Sequence, residues 1–244
     1  MPRSEPVDES RLSLLSLLRD GELTIEGRLV DASNATLYCR VEADGVARTC
    51  VYKPIAGERP LWDFPDGTLA YREVAAYEVS AATGWDIVPP TVFRDGPYGP
   101  GMCQLWIDVD EEVDLAALAR SNHPDLRRMS VFDAVINNAD RKGGHLLPTP
   151  DGHVYGVDHG VCFSVEDKLR TLLWRWRGQP LPGQALAVLR ELLDGLRGEL
   201  GTTLRGLLSE PEVVAVEHRL RRLLSTGKHP LPSEDWPAIP WPPF

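Results

Sequence analysis

The feature that most limits how this chain can fold is a change in its hydrophobic pattern along the sequence. Up to residue 53, apolar and β-branched residues form short runs separated by polar turns, a pattern typical of antiparallel hairpins. From residue 184 to residue 224, leucines recur at helical spacing and form one apolar face. The order therefore predicts an α+β fold with a β-rich N-terminal part and a mainly helical C-terminal part.

Local periodicity and turn residues place the individual elements. The expected helices are residues 10–20, 69–83, 125–138 and 184–224. The expected strands are residues 22–30, 38–41, 48–53, 88–93, 102–109, 145–147 and 153–157. We expect an N-terminal lobe over residues 1–108, a C-terminal lobe over 109–229, and a Pro- and Trp-rich tail over 230–244 that is extended, packed on the surface or disordered.

The charge balance and the cysteine spacing argue against several function classes. The chain has 244 residues, and its 26 Lys and Arg against 36 Asp and Glu give a formal net charge of −10. This acid excess disfavours nucleic-acid binding and weakly disfavours unaided docking on anionic lipid. Four widely spaced cysteines favour neither structural zinc nor a disulfide framework. Since neither a signal peptide nor an apolar run of about 18 residues is present, we expect a cytoplasmic protein without a transmembrane segment.

Four charged side chains stand at positions that could carry chemistry. Lys53 ends an apolar strand, and Glu73 lies on the helix that follows. Asp140 lies in a loop that leaves a helix, and Asp158 ends a short strand and is followed by His159 and Gly160. Each of these has an ordinary explanation when taken alone: a surface lysine, a solvated helix charge, or a polar turn.

The order of these residues along the chain is more specific than any one of them. In phosphoryl transfer, a lysine held by a glutamate neutralises the nucleotide phosphates. One carboxylate then orients the attacking hydroxyl, and another binds the divalent cation. The joint occurrence of Lys53, Glu73, Asp140 and Asp158 therefore favours a phosphotransferase.

At these residues the sequence resembles the phosphatidylinositol 3-/4-kinase-like group of the protein-kinase-like fold, especially the type II phosphatidylinositol 4-kinases. The resemblance covers residues 25–165 and is strongest at Asn138–Arg141 and Asp158–Gly160. Further matching segments are Val51–Pro54, Glu73–Tyr77, Ile87–Thr91 and Gly101–Trp106. Over the whole chain, the sequence also resembles a family of small actinobacterial proteins of this length. The resemblance implies a two-lobed protein-kinase-like fold.

The resemblance also implies roles for individual residues. Lys53 would contact the α- and β-phosphates and pair with Glu73, Asp140 would be the catalytic carboxylate, and Asp158 would hold Mg²⁺. The turn over the phosphates would contain Ser33, Asn34 and Thr36, although this turn lacks the usual glycines. The linker whose backbone would bind adenine comprises Gln104, Leu105, Trp106 and Ile107.

His145 departs from the pattern of the group, which has Asn as a second metal ligand at this position. A neutral imidazole suits softer ions than Mg²⁺. We therefore expect tolerance for Mn²⁺, or a single-metal site in which His145 contacts a phosphate. The alternative is that His145 only packs or caps a turn, so that catalysis is weakened or lost.

Two nearby groups have open roles. Arg141 and Lys142 could balance the charge of the transferred phosphoryl group, although Arg141 is more often structural in such a loop. Trp174 and Trp176 alternate with two arginines and could touch a membrane surface or an anionic substrate, or could pack in the core. Contact with a membrane is therefore left open.

The main hypothesis is a kinase that uses ATP and Mg²⁺, with Mn²⁺ as an alternative ion. It would transfer the γ-phosphoryl group to a hydroxyl of a lipid inositol, a protein or a small molecule. The alternative is a catalytically weak or inactive nucleotide-binding pseudokinase that acts as a scaffold. A purely structural interaction protein is the third alternative.

Overall fold

A computed structural model describes residues 9–29 and 34–244 of the chain. The described residues divide into two compact units. The first comprises the described residues up to Val74 together with Pro89–Trp106, and the second comprises Ala75–Val88 together with Ile107–Phe244. Residues 75–88 thus belong to the second unit, whereas the lobe boundaries at residues 108 and 229 remain predictions.

The first unit is built on a five-stranded antiparallel sheet with the strand order β1-β2-β3-β5-β4. The strands are β1 (Glu22–Arg28), β2 (Leu37–Ala43), β3 (Val46–Pro54), β4 (Thr91–Gly96) and β5 (Gly99–Leu105), and helix α1 spans Glu9–Asp20. Asp44 and Gly45 join β2 to β3, and both have positive φ angles of 51° and 75°. Such a two-residue turn matches the right-handed twist of the strands it joins.

Alternation along the strands forms the core of this unit. Cys39 and Val41 of β2 are fully buried, as are Cys50 and Tyr52 of β3, and they pack with Leu18 of α1. All four cysteines of the chain are buried free thiols. Burial raises the pKa of Cys39 to about 12, so its thiol is an apolar packing group and not a nucleophile.

Helix α2 spans Leu69–Thr83, the range predicted from periodicity. It begins where the carboxylate of Glu58 accepts hydrogen bonds from the amides of Leu69 (3.2 Å) and Ala70 (2.8 Å). These bonds satisfy two of the amides that a helix leaves unpaired at its start. The helix ends before Gly84, whose φ of +66° is the left-handed conformation that glycine adopts readily. No helix within the described ranges is long and apolar enough to cross a membrane.

The second unit is mainly helical and contains one short hairpin. Its helices are α3 (Leu115–Arg120), α4 (Pro124–Ile136), α5 (Gly183–Gly195), α6 (Glu199–Leu207) and α7 (Glu210–Thr226), and its strands are β6 (Leu146–Pro148) and β7 (Val154–Gly156). The amide of Gly156 donates to Ile87 O at 2.7 Å, which attaches residues 86–88 to this hairpin. Helix α4 ends at Asn137 in the left-handed conformation, with a φ of 55°. The chain therefore leaves α4 abruptly and enters the loop that contains Asp140.

The predicted helical stretch 184–224 is three helices, because glycines and Ser209 interrupt it. Ser209 and Glu212 cap α7 reciprocally, and Gly227 ends it with a φ of 62°. Leucines of each helix are buried, such as Leu189 in α5, Leu204 in α6 and Leu220 in α7, whereas others of the predicted face, such as Leu186 and Leu193, are half-buried. Strand β4 was predicted over 88–93 but begins at Thr91, because Pro89 and Pro90 lack amides for the ladder. Strand β5 was predicted over 102–109 and spans Gly99–Leu105.

Candidate functional site

Lys53 and Glu73 form an ion pair within the first unit. Lys53 is the penultimate residue of β3, and its neighbours Tyr52 and Pro54 are buried, so alternation turns Lys53 to the other face of the sheet. Its Nζ lies 2.7 Å from Oε1 of Glu73. The Glu73 side chain is 2% exposed and that of Lys53 is 18% exposed. The lysine is thus held by a buried carboxylate and still reaches solvent.

The predicted phosphate turn is only partly described, because Ser33 lies outside the described residues. Asn34 Oδ1 accepts from the Arg59 amide at 2.9 Å, and Thr36 Oγ1 donates to Asn34 O at 3.3 Å. Both side chains therefore bond within the first unit. Gly57 packs closely against this turn, because a Cβ at Gly57 would lie 2.4 Å from Cβ of Ala35.

The predicted linker is tied to the sheet by its own backbone. The amide of Leu105 donates to Pro90 O at 2.9 Å, and that of Trp106 donates to Thr49 O at 3.0 Å. Gln104 is buried, and its Nε2 donates to Thr91 Oγ1 at 2.8 Å. These two amides and the Gln104 side chain are therefore already hydrogen-bonded within the first unit, whereas Ile107 begins the last part of the second unit.

Asp140 lies four residues after Ile136, the last residue of α4, in the second unit. Its backbone amide donates to Asn138 Oδ1 at 2.9 Å, which fixes the turn between them. Lys142 Nζ lies 3.1 Å from Asp140 Oδ2, and the two side chains are 25% and 29% exposed. The loop thus presents a partly solvated carboxylate beside a cation.

Asp158 and His145 meet in the second unit. The Asp158 carboxylate is half-exposed, and its Oδ2 lies 3.4 Å from Nε2 of His145. The Val157 amide donates to His145 O at 3.1 Å and ties the two loops together. Burial lowers the pKa of His145, and the charge of Asp158 opposes this only in part, so the ring is neutral at pH 7.

The donor set fits one hard divalent cation. Within the described ranges, no group of three or more His, Cys, Asp or Glu side chains is placed to hold a metal ion. Mg²⁺, however, is commonly bound by one or two carboxylates, with phosphate oxygens and water completing its shell. Asp158 supplies such a carboxylate. His145 Nδ1 accepts from the Lys142 amide at 3.4 Å, which places the ring proton on Nε2, facing Asp158.

Arg141, which the sequence left open as a charge for the phosphoryl group, is a structural residue. Its side chain and that of Asp133 on α4 are both 0% exposed and pair at 2.9 Å. Burial alone would lower the pKa of Arg141, but the charge and hydrogen bonds of Asp133 raise it above its usual value. Sequence reasoning missed Asp133; its signal was one carboxylate inside the apolar run Val131–Ile136.

The aromatic residues that could have met a membrane are packed inside the second unit. Trp174 is 8% exposed and Trp176 is 2% exposed. Their Nε1 atoms donate to Ala238 O at 2.7 Å and to Asn122 Oδ1 at 3.0 Å. His159 is fully buried and meets the Phe132 ring edge-on at 5.7 Å.

The Pro- and Trp-rich tail packs on the loop that carries Asp140. The Gly143 amide donates to Pro243 O at 2.8 Å, and the Phe244 ring occupies the space beside Gly143 Cα. The Thr171 amide donates to Ala238 O at 3.1 Å, and Lys168 Nζ lies 4.7 Å from the centroid of the Trp236 ring. The tail is therefore extended and packed on the surface of this unit.

The fold is protein-kinase-like. The chain matches the crystal structure of the Golgi casein kinase with a TM-score of 0.60 and 15% identity, over 91% of this chain and 75% of that one. The structure of that kinase with Mn/ADP bound matches equally well, over 90% and 75%. The Helicobacter pylori proinflammatory kinase CtkA matches with a TM-score of 0.50 and 12% identity, over 86% and 94%. An antiparallel N-terminal sheet with a helical C-terminal lobe is common to this class.

Sequence comparison then defines the family. No family model matches the chain. It is 47% identical to Protein Rv2133c of Mycobacterium tuberculosis over 94% of this chain and 95% of that protein. The chain therefore belongs to the family of Protein Rv2133c. It is also 23% identical to phosphatidylinositol 4-kinase gamma 4 of Oryza sativa subsp. japonica, over 71% of this chain and 36% of the plant protein.

Proposed function

We propose that this protein is an ATP-dependent kinase that transfers the γ-phosphoryl group to a hydroxyl acceptor. The observation that carries the proposal lies in the second unit. There, Asp140 and Asp158 stand in two loops joined by direct hydrogen bonds, one beside a lysine and the other beside an imidazole. The buried Lys53–Glu73 pair of the first unit supports it independently.

Each residue has a definite chemical role in this proposal. Lys53 binds phosphate oxygens of ATP, and Glu73 holds the ammonium group in place. Asp158 holds the cation, which supplies charge neutralisation on the phosphates when bound. The oxygen of the acceptor hydroxyl forms a bond to the γ-phosphorus, and the bond from that phosphorus to the bridging oxygen breaks, which releases ADP. Asp140 takes the proton of the hydroxyl.

Lys142 and His145 support these groups from the same loop. Lys142 Nζ, at 3.1 Å from Asp140 Oδ2, offers positive charge where the phosphoryl group is transferred. In the proton arrangement described above, His145 donates to Asp158 and orients its carboxylate, so one cation suffices. The tautomer with the proton on Nδ1 would lose the hydrogen bond from the Lys142 amide, and its free Nε2 would then be a cation ligand better suited to Mn²⁺ than to Mg²⁺.

The acceptor class is the least constrained part of the proposal. Relatives and structural neighbours include a phosphatidylinositol 4-kinase and a casein kinase. Fold similarity does not determine substrate. With a formal net charge of −10, the chain is poorly suited to unaided residence on anionic lipid. Lipid inositol, protein and small-molecule hydroxyls are therefore to be tested side by side.

The test is phosphoryl transfer by the full chain from γ-labelled ATP, with Mg²⁺ or Mn²⁺, to phosphatidylinositol vesicles, a mixed protein pool and a polyol pool. We expect transfer to at least one pool and a loss of about 100-fold or more in Asp140→Asn. Asp151→Asn is the matched control, because Asp151 is an exposed carboxylate in the β6–β7 turn of the same unit. Equal rates for wild type and Asp140→Asn in all pools would contradict the proposal.

A second candidate function, a nucleotide-binding pseudokinase, is favoured by His145. It predicts a rise in melting temperature with Mn²⁺ and ADP but no transfer above Asp140→Asn. Restoration of transfer by His145→Asn would strengthen it. Absence of both the thermal shift and transfer would leave the structural interaction protein as the remaining reading.

A further inference from the structure

The backbone of Asp158 has an unusual conformation. Its φ is +61°, in the left-handed region that residues other than glycine rarely enter. Such a conformation persists only where the surrounding structure holds it. The neighbours that hold Asp158 therefore decide where its carboxylate points.

Arg141 holds the chain on both sides of Asp158. Its Nη1 donates to the carbonyl of Val157, directly before, at 3.0 Å. Its Nη2 lies 2.6 Å from Nε2 of His159, directly after. A guanidinium can only donate, so Nε2 of His159 accepts and the imidazole is neutral. The planar fork of one arginine thus spans the strained residue, which a single ammonium group cannot do.

Asp133 holds Arg141 and also reaches the loop of Asp140. Its carboxylate accepts from Arg141 Nε at 3.1 Å and from Arg141 Nη2 at 2.9 Å. Its Oδ1 also accepts from Asn138 Nδ2 at 3.1 Å. Asn138 Oδ1 in turn accepts from the Asp140 amide at 2.9 Å. Asp133 is therefore the start of two branches, one that ends at Asp158 and one that ends at Asp140.

We infer that Asp133 is a positioning residue that sets both functional carboxylates, through Arg141 for Asp158 and through Asn138 for Asp140. The inference rests on the proposed function, since it assigns Asp158 to the cation and Asp140 to the acceptor hydroxyl. None of the three positioning residues touches the reacting atoms. The two branches separate after Asp133, so each can be broken alone.

The two branches predict two different defects. Arg141→Gln should weaken the affinity of the full chain for Mn²⁺ in the presence of ADP by about 10-fold or more, the range seen when residues behind a metal ligand are changed. Asn138→Ala should leave that affinity within about 2-fold and lower kcat at saturating Mn²⁺ by about 10-fold. The Mn²⁺ affinity is read by electron paramagnetic resonance, which requires no turnover.

Arg219→Gln is the matched control for loss of a buried guanidinium. Arg219 is 6% exposed, and it donates to Val135 O at 2.8 Å and to Ser164 O at 3.1 Å. Its loss should lower the melting temperature while leaving Mn²⁺ affinity within about 2-fold. If Arg141→Gln does not fold, Arg141→Lys keeps the charge but not the fork and should still lose Mn²⁺ affinity.

The outcomes separate this inference from the proposed function. A wild-type chain that binds neither Mn²⁺ with ADP nor ATP overturns the proposed function and, with it, the inference. A wild type that binds Mn²⁺ with ADP, together with a folded Arg141→Gln or Arg141→Lys that binds it equally well, overturns the inference alone. Equal losses of affinity and kcat in Arg141→Gln and Asn138→Ala also overturn it, because they would show a general structural effect.

Discussion

The two charged sites of this protein are held in place by different means. Lys53 and Glu73 lie on a strand and a helix, whose backbone hydrogen bonds already place both side chains, and an ion pair joins them. Asp140 and Asp158 lie in loops, where the backbone offers no such ladder. The buried set Asp133, Asn138 and Arg141, the hub network, replaces it. In this protein, side-chain hydrogen bonds of buried residues therefore do for the loops what backbone ladders do for the strand and the helix.

This difference should appear most strongly in stability. Asp133→Ala removes the carboxylate that pairs with Arg141, a guanidinium with 0% exposure, and should lower the free energy of unfolding by about 3–5 kcal/mol. Glu73→Ala should lower it by about 1–2 kcal/mol, because Lys53 is partly exposed and can be solvated. Urea unfolding of both variants measures the difference. Equal losses would mean that the two sites are held alike.

The loop of Asp140 can also be tested through its backbone. A Cβ at Gly143 would lie 1.9 Å from Cδ1 of Phe244, so Gly143→Ala should displace the tail and lower stability by about 1–3 kcal/mol. At Gly144 a Cβ would meet no atom within 4 Å, which makes Gly144→Ala the matched control, with a change of about 1 kcal/mol at most. Adding Phe244→Ala should rescue Gly143→Ala; a lack of rescue would place the strain elsewhere.

Mild acid should affect the stability of the second unit more than that of the first. All six histidines lie between residues 123 and 229, in the second unit. Burial and the charge of Arg127 lower the pKa of His229 to about 4, and its ring packs on Trp176. Between pH 6.5 and 4 the unfolded chain binds this proton and the folded chain does not. Stability is therefore present above this range and falls within it, by up to about 1.4 kcal/mol per pH unit.

Measurement of the free energy of unfolding between pH 7 and pH 4 tests this, with His229→Gln as the control. The substitution removes the titrating group and should flatten the pH dependence over that range. An unchanged slope would assign the acid sensitivity to other groups of the chain.

The smallest effects are expected at exposed ion pairs, whichever unit carries them. The pair Arg40–Glu42 in β2 and the pair Arg221–Glu217 in α7 each have both side chains more than one-third exposed. Arg40→Ala and Arg221→Ala should each leave the melting temperature nearly unchanged, because solvent screens exposed pairs. Thermal melts at low and high salt measure this. A larger loss at either position would show that exposure is a poor guide to these contacts.

The same contrast explains which elements and site residues could be predicted from the sequence. Helix α2 was predicted over its observed range from helical periodicity, whereas the pairing of Lys53 with Glu73 was expected from the order of the charged residues and from the family resemblance. The hub network was missed, since its members are brought together by loop closure and not by any period. A carboxylate such as Asp133 inside an apolar run signals a buried partner, but the run does not identify that partner. Helix α3 was also missed; it has only six residues, and its signal is a single cap at Asp114.

Because the Gly143 amide donates to Pro243 O, its hydrogen exchange reports on the contact between the tail and the loop of Asp140. An amide exchanges its hydrogen with solvent only when the bond that protects it opens. The exchange rate of the Gly143 amide therefore measures how often the segment that ends in Phe244 separates from the loop of Asp140. If nucleotide or acceptor changes that rate, the timing of tail movement can be read in solution without any label.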